Sequence, residues 1–234
     1  MRSGSSGRRS WCNESLRLPC AGIRIPPPLA PRTADGKLYP MTISVLPLLL
    51  SLGLLVLPGA PARHGAVAVF AGGCFWGVEY VFEHVRGVES VISGFAREPG
   101  SAQPIEAVYV TYNADMVSYK QLLEVFFAVA HDPTTQDRQG PDVGPEYRAV
   151  VFTRSPTEAM AAMEHVAELG ASKKLSGPIL TLIRQLDGFT AAEKFHQDYR
   201  VRHLTDAYVV QNDVPKLERL KRNFPALYQA QRAP

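Results

Sequence analysis

Cysteine is scarce in this chain, with three residues in 234, at Cys12, Cys20 and Cys74, and none after Cys74. Everything beyond Cys20 therefore holds a single thiol, which excludes a disulfide-stapled fold there. Long apolar runs are almost as rare. From Leu38 to Ala62 there is no charged side chain, and Ile43 to Leu57 is nearly all apolar. That length suits the core of a signal peptide better than a membrane span, and Ala60-Pro61-Ala62 supplies small residues for cleavage. Excess charge is missing too. The whole chain carries a formal net charge of +3, but residues 1–62 hold seven Lys/Arg against two Asp/Glu, leaving 18 basic and 20 acidic residues in 63–234. Such a balance predicts no nucleic-acid partner. One basic cluster, Lys216, Arg219, Lys221 and Arg222, reads as a solvated helix face.

These features divide the chain into a leader, 1–62, and one domain, 63–234, long enough to bury a sizeable core. The expected destination is export, to a periplasm or out of the cell; a membrane anchor competes, weakened by Pro47, Gly53 and Pro58. Residues 1–40, rich in Arg, Ser and Pro, read equally as disordered, as an organelle transit sequence, or as sequence upstream of a start at Met41.

What is present in the domain is a clear alternation of elements. The pattern predicts a strand at 67–71, a helix at 74–84, strands at 88–95 and 106–112, a helix at 118–129, and a strand at 149–153 after a long loop. This βαββαβ order suggests an α+β fold with a ferredoxin-like split core and extra helices. Ser155-Pro156-Thr157-Glu158 announces a further helix, with Ser155 as N-cap, Pro156 at its first position and Glu158 closing a capping box. Leu180 to Leu186 adds an edge strand, and Asp213-Val214-Pro215 starts a C-terminal helix reaching toward Arg222.

The most informative residues are Gly73-Cys74-Phe75-Trp76-Gly77, where an apolar strand turns into a helix. A thiol at a helix N-terminus meets unpaired N–H groups and the positive end of the helix dipole, which favour the thiolate. The competing reading is a buried structural cysteine. Flanking glycines leave the approach to Cys74 open, and the aromatic pair after it suggests a pocket wall.

This pentapeptide resembles the hallmark of the peptide methionine sulfoxide reductase A family. Ser93-Gly94-Phe95-Ala96, Ser118 to Phe127, His131-Asp132-Pro133, Arg138 to Arg148 and Ala192 to Tyr199 are similar to further family segments, in family order, over about Val67 to Tyr199. The resemblance implies thiol-dependent reduction of (S)-methionine sulfoxide, in proteins or as the free amino acid, by a monomer without metal or bound cofactor. It implies that Cys74 is the nucleophile and Glu106, opening the third strand, the acid that protonates the departing oxygen. A carboxyl in an apolar pocket has its pKa raised toward neutrality, whereas an ordinary strand-end glutamate is solvated. Tyr147 would hold the sulfoxide oxygen and Asp142 organise the site, each with an ordinary loop residue as its alternative. Phe75 and Trp76 would enclose the substrate's S-methyl group, unless they are simple core residues. His131 and His196 invite a Cys–His hydrolase reading, but neither has a context that names it a general base.

Two departures from the family stand out. The loop from Ala96 to Ile105 is short and lacks the second oxygen-binding tyrosine commonly carried there, which leaves one side of the pocket open unless something else fills it. No resolving cysteine follows Cys74, so its sulfenic acid requires an external thiol, such as thioredoxin or glutaredoxin with glutathione. The alternative function is a non-catalytic methionine sulfoxide binder or redox sensor.

Overall fold

The computed structural model describes residues 64–230 and residue 233. The expected leader, 1–62, with Cys12 and Cys20, lies outside the described residues.

In chain order the elements are β1 (Ala66–Ala71), α1 (Phe75–Glu83), β2 (Val88–Arg97), β3 (Ile105–Tyr112), α2 (Tyr119–Val125), β4 (Arg138–Gln139), β5 (Asp142–Val143), β6 (Val150–Thr153), α3 (Pro156–Ala171), β7 (Leu182–Gln185), β8 (Gly188–Ala191), α4 (Tyr199–Arg202) and α5 (Val214–Asn223). Six strands form one sheet in the order β7-β6-β1-β3-β2-β8, and β4 and β5 form a separate small hairpin. β3 lies between β1 and β2, antiparallel to both. The molecule is thus α+β, with helices packed on a mixed sheet.

β1 is apolar throughout because it is central and covered on both faces. Ala68 and Phe70 join the core with α1 and α2, while Val67, Val69 and Ala71 join a smaller core on the other face. Phe70 sits at the centre of the larger core, its ring 5.1 Å from Phe82 of α1 and 4.8 Å from Phe126. On α1, Val78, Val81 and Phe82 recur at helical spacing and are all buried. The same period-two logic fixes β3. Ile105 and Ala107 face the smaller core, so Glu106 shares the helix-covered face with Val108 and Val110.

Several elements differ from the sequence pattern in instructive ways. The helix expected at 118–129 is α2 followed by a π turn, Phe126–Ala130, which brings His131 Nδ1 within 2.9 Å of the Phe126 carbonyl. Ser155 caps α3 as expected, accepting from the Glu158 N–H, but the Glu158 carboxylate accepts from Arg154 N–H, so the reciprocal half of the box closes one residue early. β7 is the expected edge strand, pairing parallel to β6. β8 was not legible beforehand: it pairs with β2, and Gly94 permits the approach, since a Cβ there would lie 2.4 Å from the Thr190 carbonyl oxygen. Asp213 precedes α5 without capping it, and its side chain is fully buried. The basic face expected on α5 is also only partly solvated: Lys216 and Arg219 turn toward a cavity, and Arg222 is exposed.

Candidate active site

Cys74 is the N-cap of α1, reached through a tight turn in which Gly73 has φ +84°. Only glycine adopts that conformation without strain, and here space forbids a side chain as well, because a Cβ on Gly73 would sit 2.4 Å from Gln139 Cβ. The thiol is buried, with 8% of the residue exposed.

Glu106 enters from the first pairs of β3, opposite Phe95 in the ladder, and one of its oxygens accepts from the Phe75 N–H at 3.1 Å. The free N–H at the start of α1 is therefore held by the neighbouring carboxyl. Burial, together with the negative charges of Asp142 and Glu146, raises Glu106 to about 7 despite that hydrogen bond. Burial and then the Glu106 charge push the Cys74 thiol up to about 12, against opposing hydrogen bonds from the Trp76 N–H and the Tyr208 hydroxyl. The sequence expectation of a thiolate-favouring position is corrected by this: at rest Cys74 is a thiol, because burial and an adjacent acid outweigh the helix terminus. The two groups are coupled, and protonating Glu106 removes one of the causes that hold the proton on sulfur.

The remaining polar groups arrive on loops. Asp142 belongs to β5, and Tyr147 to a 3₁₀ turn, Pro145–Tyr147. The Arg148–Asp137 ion pair, at 2.6 Å, ties the two ends of this loop together. Within it, the Gln139 amide accepts from Asp132 N–H and donates to the Asp132 carbonyl, each at 2.8 Å. Burial, followed by the charges of Glu106, Asp142 and Cys74, raises Tyr147 to about 12, so its hydroxyl stays protonated and able to donate.

One functional group escaped the sequence analysis. Tyr208 lies beyond the last recognised motif, yet its hydroxyl donates to Asp142 Oδ2 at 2.5 Å and stands close enough to Cys74 to favour its thiolate. Burial first, then the Cys74 charge and its bond to Asp142, hold its pKa far above the usual range. The site thus includes a phenol from the C-terminal segment. A lone tyrosine between Ala207 and Val209 carries no local signal of such a role.

Phe75 and Trp76 belong to an aromatic cluster. Phe75 is buried against Phe95 and His196, and Trp76 is half-buried, stacked on Tyr199 with ring centroids 3.6 Å apart. His196 is part of this packing, its ring against Phe75 and Trp76. His131 is similarly occupied: its Nδ1 faces the Phe126 carbonyl and its Nε2 the Thr181 hydroxyl at 2.8 Å, and burial lowers its pKa to about 4. Among the described residues no group of His, Cys, Asp or Glu is placed to hold a metal ion, and no helix is long and apolar enough to cross a membrane.

An acid that keeps its proton near neutrality, set against a nucleophilic sulfur, is what a thiol enzyme requires when the atom it displaces must leave protonated. The comparisons with known proteins narrow that class. The model of the family described as peptide methionine sulfoxide reductase matches residues 66–227, and the chain belongs to that family. A relative named peptide methionine sulfoxide reductase MsrA 2, from Mesorhizobium japonicum, is 41% identical over 71% of this chain and 91% of its own length. One of the same name from Synechocystis is 36% identical over 73% of this chain and 85% of its own. Among solved structures, reduced Mxr1 from Saccharomyces cerevisiae is similar with a TM-score of 0.54 and 26% identity, covering 64% of this chain and 92% of that one. The chain is accordingly a methionine sulfoxide reductase by family, an oxidoreductase.

Proposed function

We propose that the chain reduces the S epimer of methionine sulfoxide, in oxidised proteins or peptides or as the free amino acid, through a Cys74 sulfenic acid. The observation that carries this is the pairing of a buried thiol with a carboxyl raised to about 7 on the adjacent strand. Glu106 in its acid form donates to the sulfoxide oxygen as the Cys74 sulfur attacks the substrate sulfur, and the thiol proton restores Glu106. In net terms the oxygen passes to Cys74 sulfur, which is oxidised by two electrons, and the substrate sulfur is reduced by two to the thioether. Tyr147 donates to the oxygen, Asp142 holds the Tyr208 hydroxyl in place beside Cys74, and Trp76 with Phe75 provides an apolar, sulfur-friendly wall for the S-methyl group.

With Cys12 and Cys20 lost with the leader, residues 63–234 hold Cys74 alone, and an external thiol reduces the sulfenic acid, whether thioredoxin-type or glutaredoxin with glutathione. All the groups invoked come from one chain, consistent with a monomer. We read β6-β1-β3-β2 as a ferredoxin-like split core extended by β7 and β8 at its edges, and residues 1–62 as a removable export leader, for which N-terminal sequencing of the exported protein should begin near Arg63. The central test is mass spectrometry after one substrate equivalent without reductant. One added oxygen on a protein that dimedone can trap at Cys74 is the expected result; an unmodified mass after product release would overturn the scheme.

A further inference from the structure

Cys74 also lines a cavity of about 520 Å³ whose walls include neither Glu106 nor Tyr147. Pockets for small molecules typically span roughly 300–1,000 Å³, so this one admits a compound of peptide size. Its walls include Cys74 and Tyr208, the carboxylates of Asp132 and Asp142, and Lys216 and Arg219 of α5. The two cations are held in position. The ammonium of Lys216, only 14% exposed, lies 3.8 Å from the buried Asp213 carboxylate. Arg219 spends one N–H on the Val129 carbonyl at 3.1 Å, and a guanidinium carries five such donors in a fixed fork. A basic helix face turned into a cavity that Cys74 also lines is not explained by solvation.

We propose that this cavity receives a small carboxylate-bearing thiol, of amino-acid or short-peptide type, that reduces the Cys74 sulfenic acid, with Lys216 and Arg219 binding its carboxylate. This rests on the reading of Cys74 as the oxygen acceptor. The first thiol attacks the sulfenic sulfur, forming a mixed disulfide and releasing the oxygen as water. A second thiol then attacks that disulfide, returning Cys74 as a thiol and leaving a disulfide of the two small molecules. Each small thiol gives up one electron, together the two that Cys74 had lost. The charge pair selects among thiols, because binding a carboxylate beside a partly buried cation is a charge-assisted interaction that a neutral thiol cannot make.

The test uses the full chain carrying Cys12→Ser and Cys20→Ser, so that Cys74 is the only thiol. After oxidation with one equivalent of a methionine sulfoxide peptide, loss of the dimedone-reactive species is followed against concentration of glutathione and, separately, of neutral 2-mercaptoethanol. With glutathione the rate should saturate, and Arg219→Gln, alone or with Lys216→Gln, should lower its second-order efficiency about tenfold. With 2-mercaptoethanol the variants should match the parent, and Arg219→Lys should recover most of the glutathione rate. An equal loss with both thiols, no loss with either, or a glutathione rate that never saturates would overturn the proposal while leaving the sulfenic acid chemistry intact. Failure of the parent to form the sulfenic acid at all would overturn both.

Discussion

The two halves of the site hold their chemical groups by different means. Cys74 and Glu106 are aimed by regular structure: the end of β1, the start of α1 and the face of β3 put both on the helix-covered side of the sheet. Asp142, Tyr147 and Tyr208 are aimed by side-chain and loop contacts, including the Tyr208–Asp142 hydrogen bond, the Arg148–Asp137 pair and the Gln139 amide clamp. The first half holds its groups as long as the sheet folds. The second depends on a few polar contacts, each worth about 1 kcal/mol net for a neutral bond and about 1.5–3 kcal/mol when one partner is charged. The reacting atoms therefore sit on the rigid half, and the groups that bind and orient oxygen sit on the adjustable half.

This contrast makes graded predictions. Cys74→Ser should eliminate reduction of a methionine sulfoxide peptide with dithiothreitol while the circular dichroism spectrum stays unchanged; substantial remaining turnover would remove sulfur chemistry from this position. Glu106→Gln keeps the strand and the shape but deletes the proton, and turnover should fall by ~10²–10⁴-fold with little change in KM. Because Glu106 is raised to about 7 and works in its acid form, the parent rate should decline as pH rises through about 7. That inflection should vanish in Glu106→Gln, and an inflection that persists would belong to another group.

On the adjustable half, Tyr208→Phe removes one hydroxyl shared by Asp142 and Cys74. A roughly tenfold fall in kcat is expected, together with a Cys74 thiol that titrates still higher, since a lowering contact is lost. Thiol alkylation rates against pH would read that shift, and an unchanged titration would reduce Tyr208 to packing. The smallest effect on chemistry should come from the turn that joins the halves. Gly73→Ala introduces a Cβ at φ +84° and 2.4 Å from Gln139, and should cost about 1–3 kcal/mol of stability. The denaturant midpoint of unfolding checks this, and an unshifted midpoint would mean that the turn and Gln139 relax freely.

The rigid half was legible in the sequence. Val67 to Ala71 reads as a strand, Gly72-Gly73 as a turn and Val78 to Phe82 as helical spacing, and the strand at 106–112 opens with Glu106. Such local patterns suffice because strand and helix periods dictate where a side chain points. Asp142 and Tyr147 were found through resemblance of their segment to a family, not through any local rule. Tyr208 went unnoticed, and the basic residues of α5 were read as a solvated face although two of them line a cavity.

By itself, then, the sequence determined the order of elements and the identity and location of the single domain thiol, consequences of covalent spacing and backbone period, while Glu106 was marked only by resemblance to a family. Only the tertiary structure decided the charge state of that thiol. Burial and the approach of Glu106 outweigh a helix terminus that, judged locally, favours the anion. It also decided which distant phenol stands beside the sulfur and which distant cations line the same cavity as Cys74, because desolvation and through-space charge depend on what packs around a group and not on what precedes it in the chain.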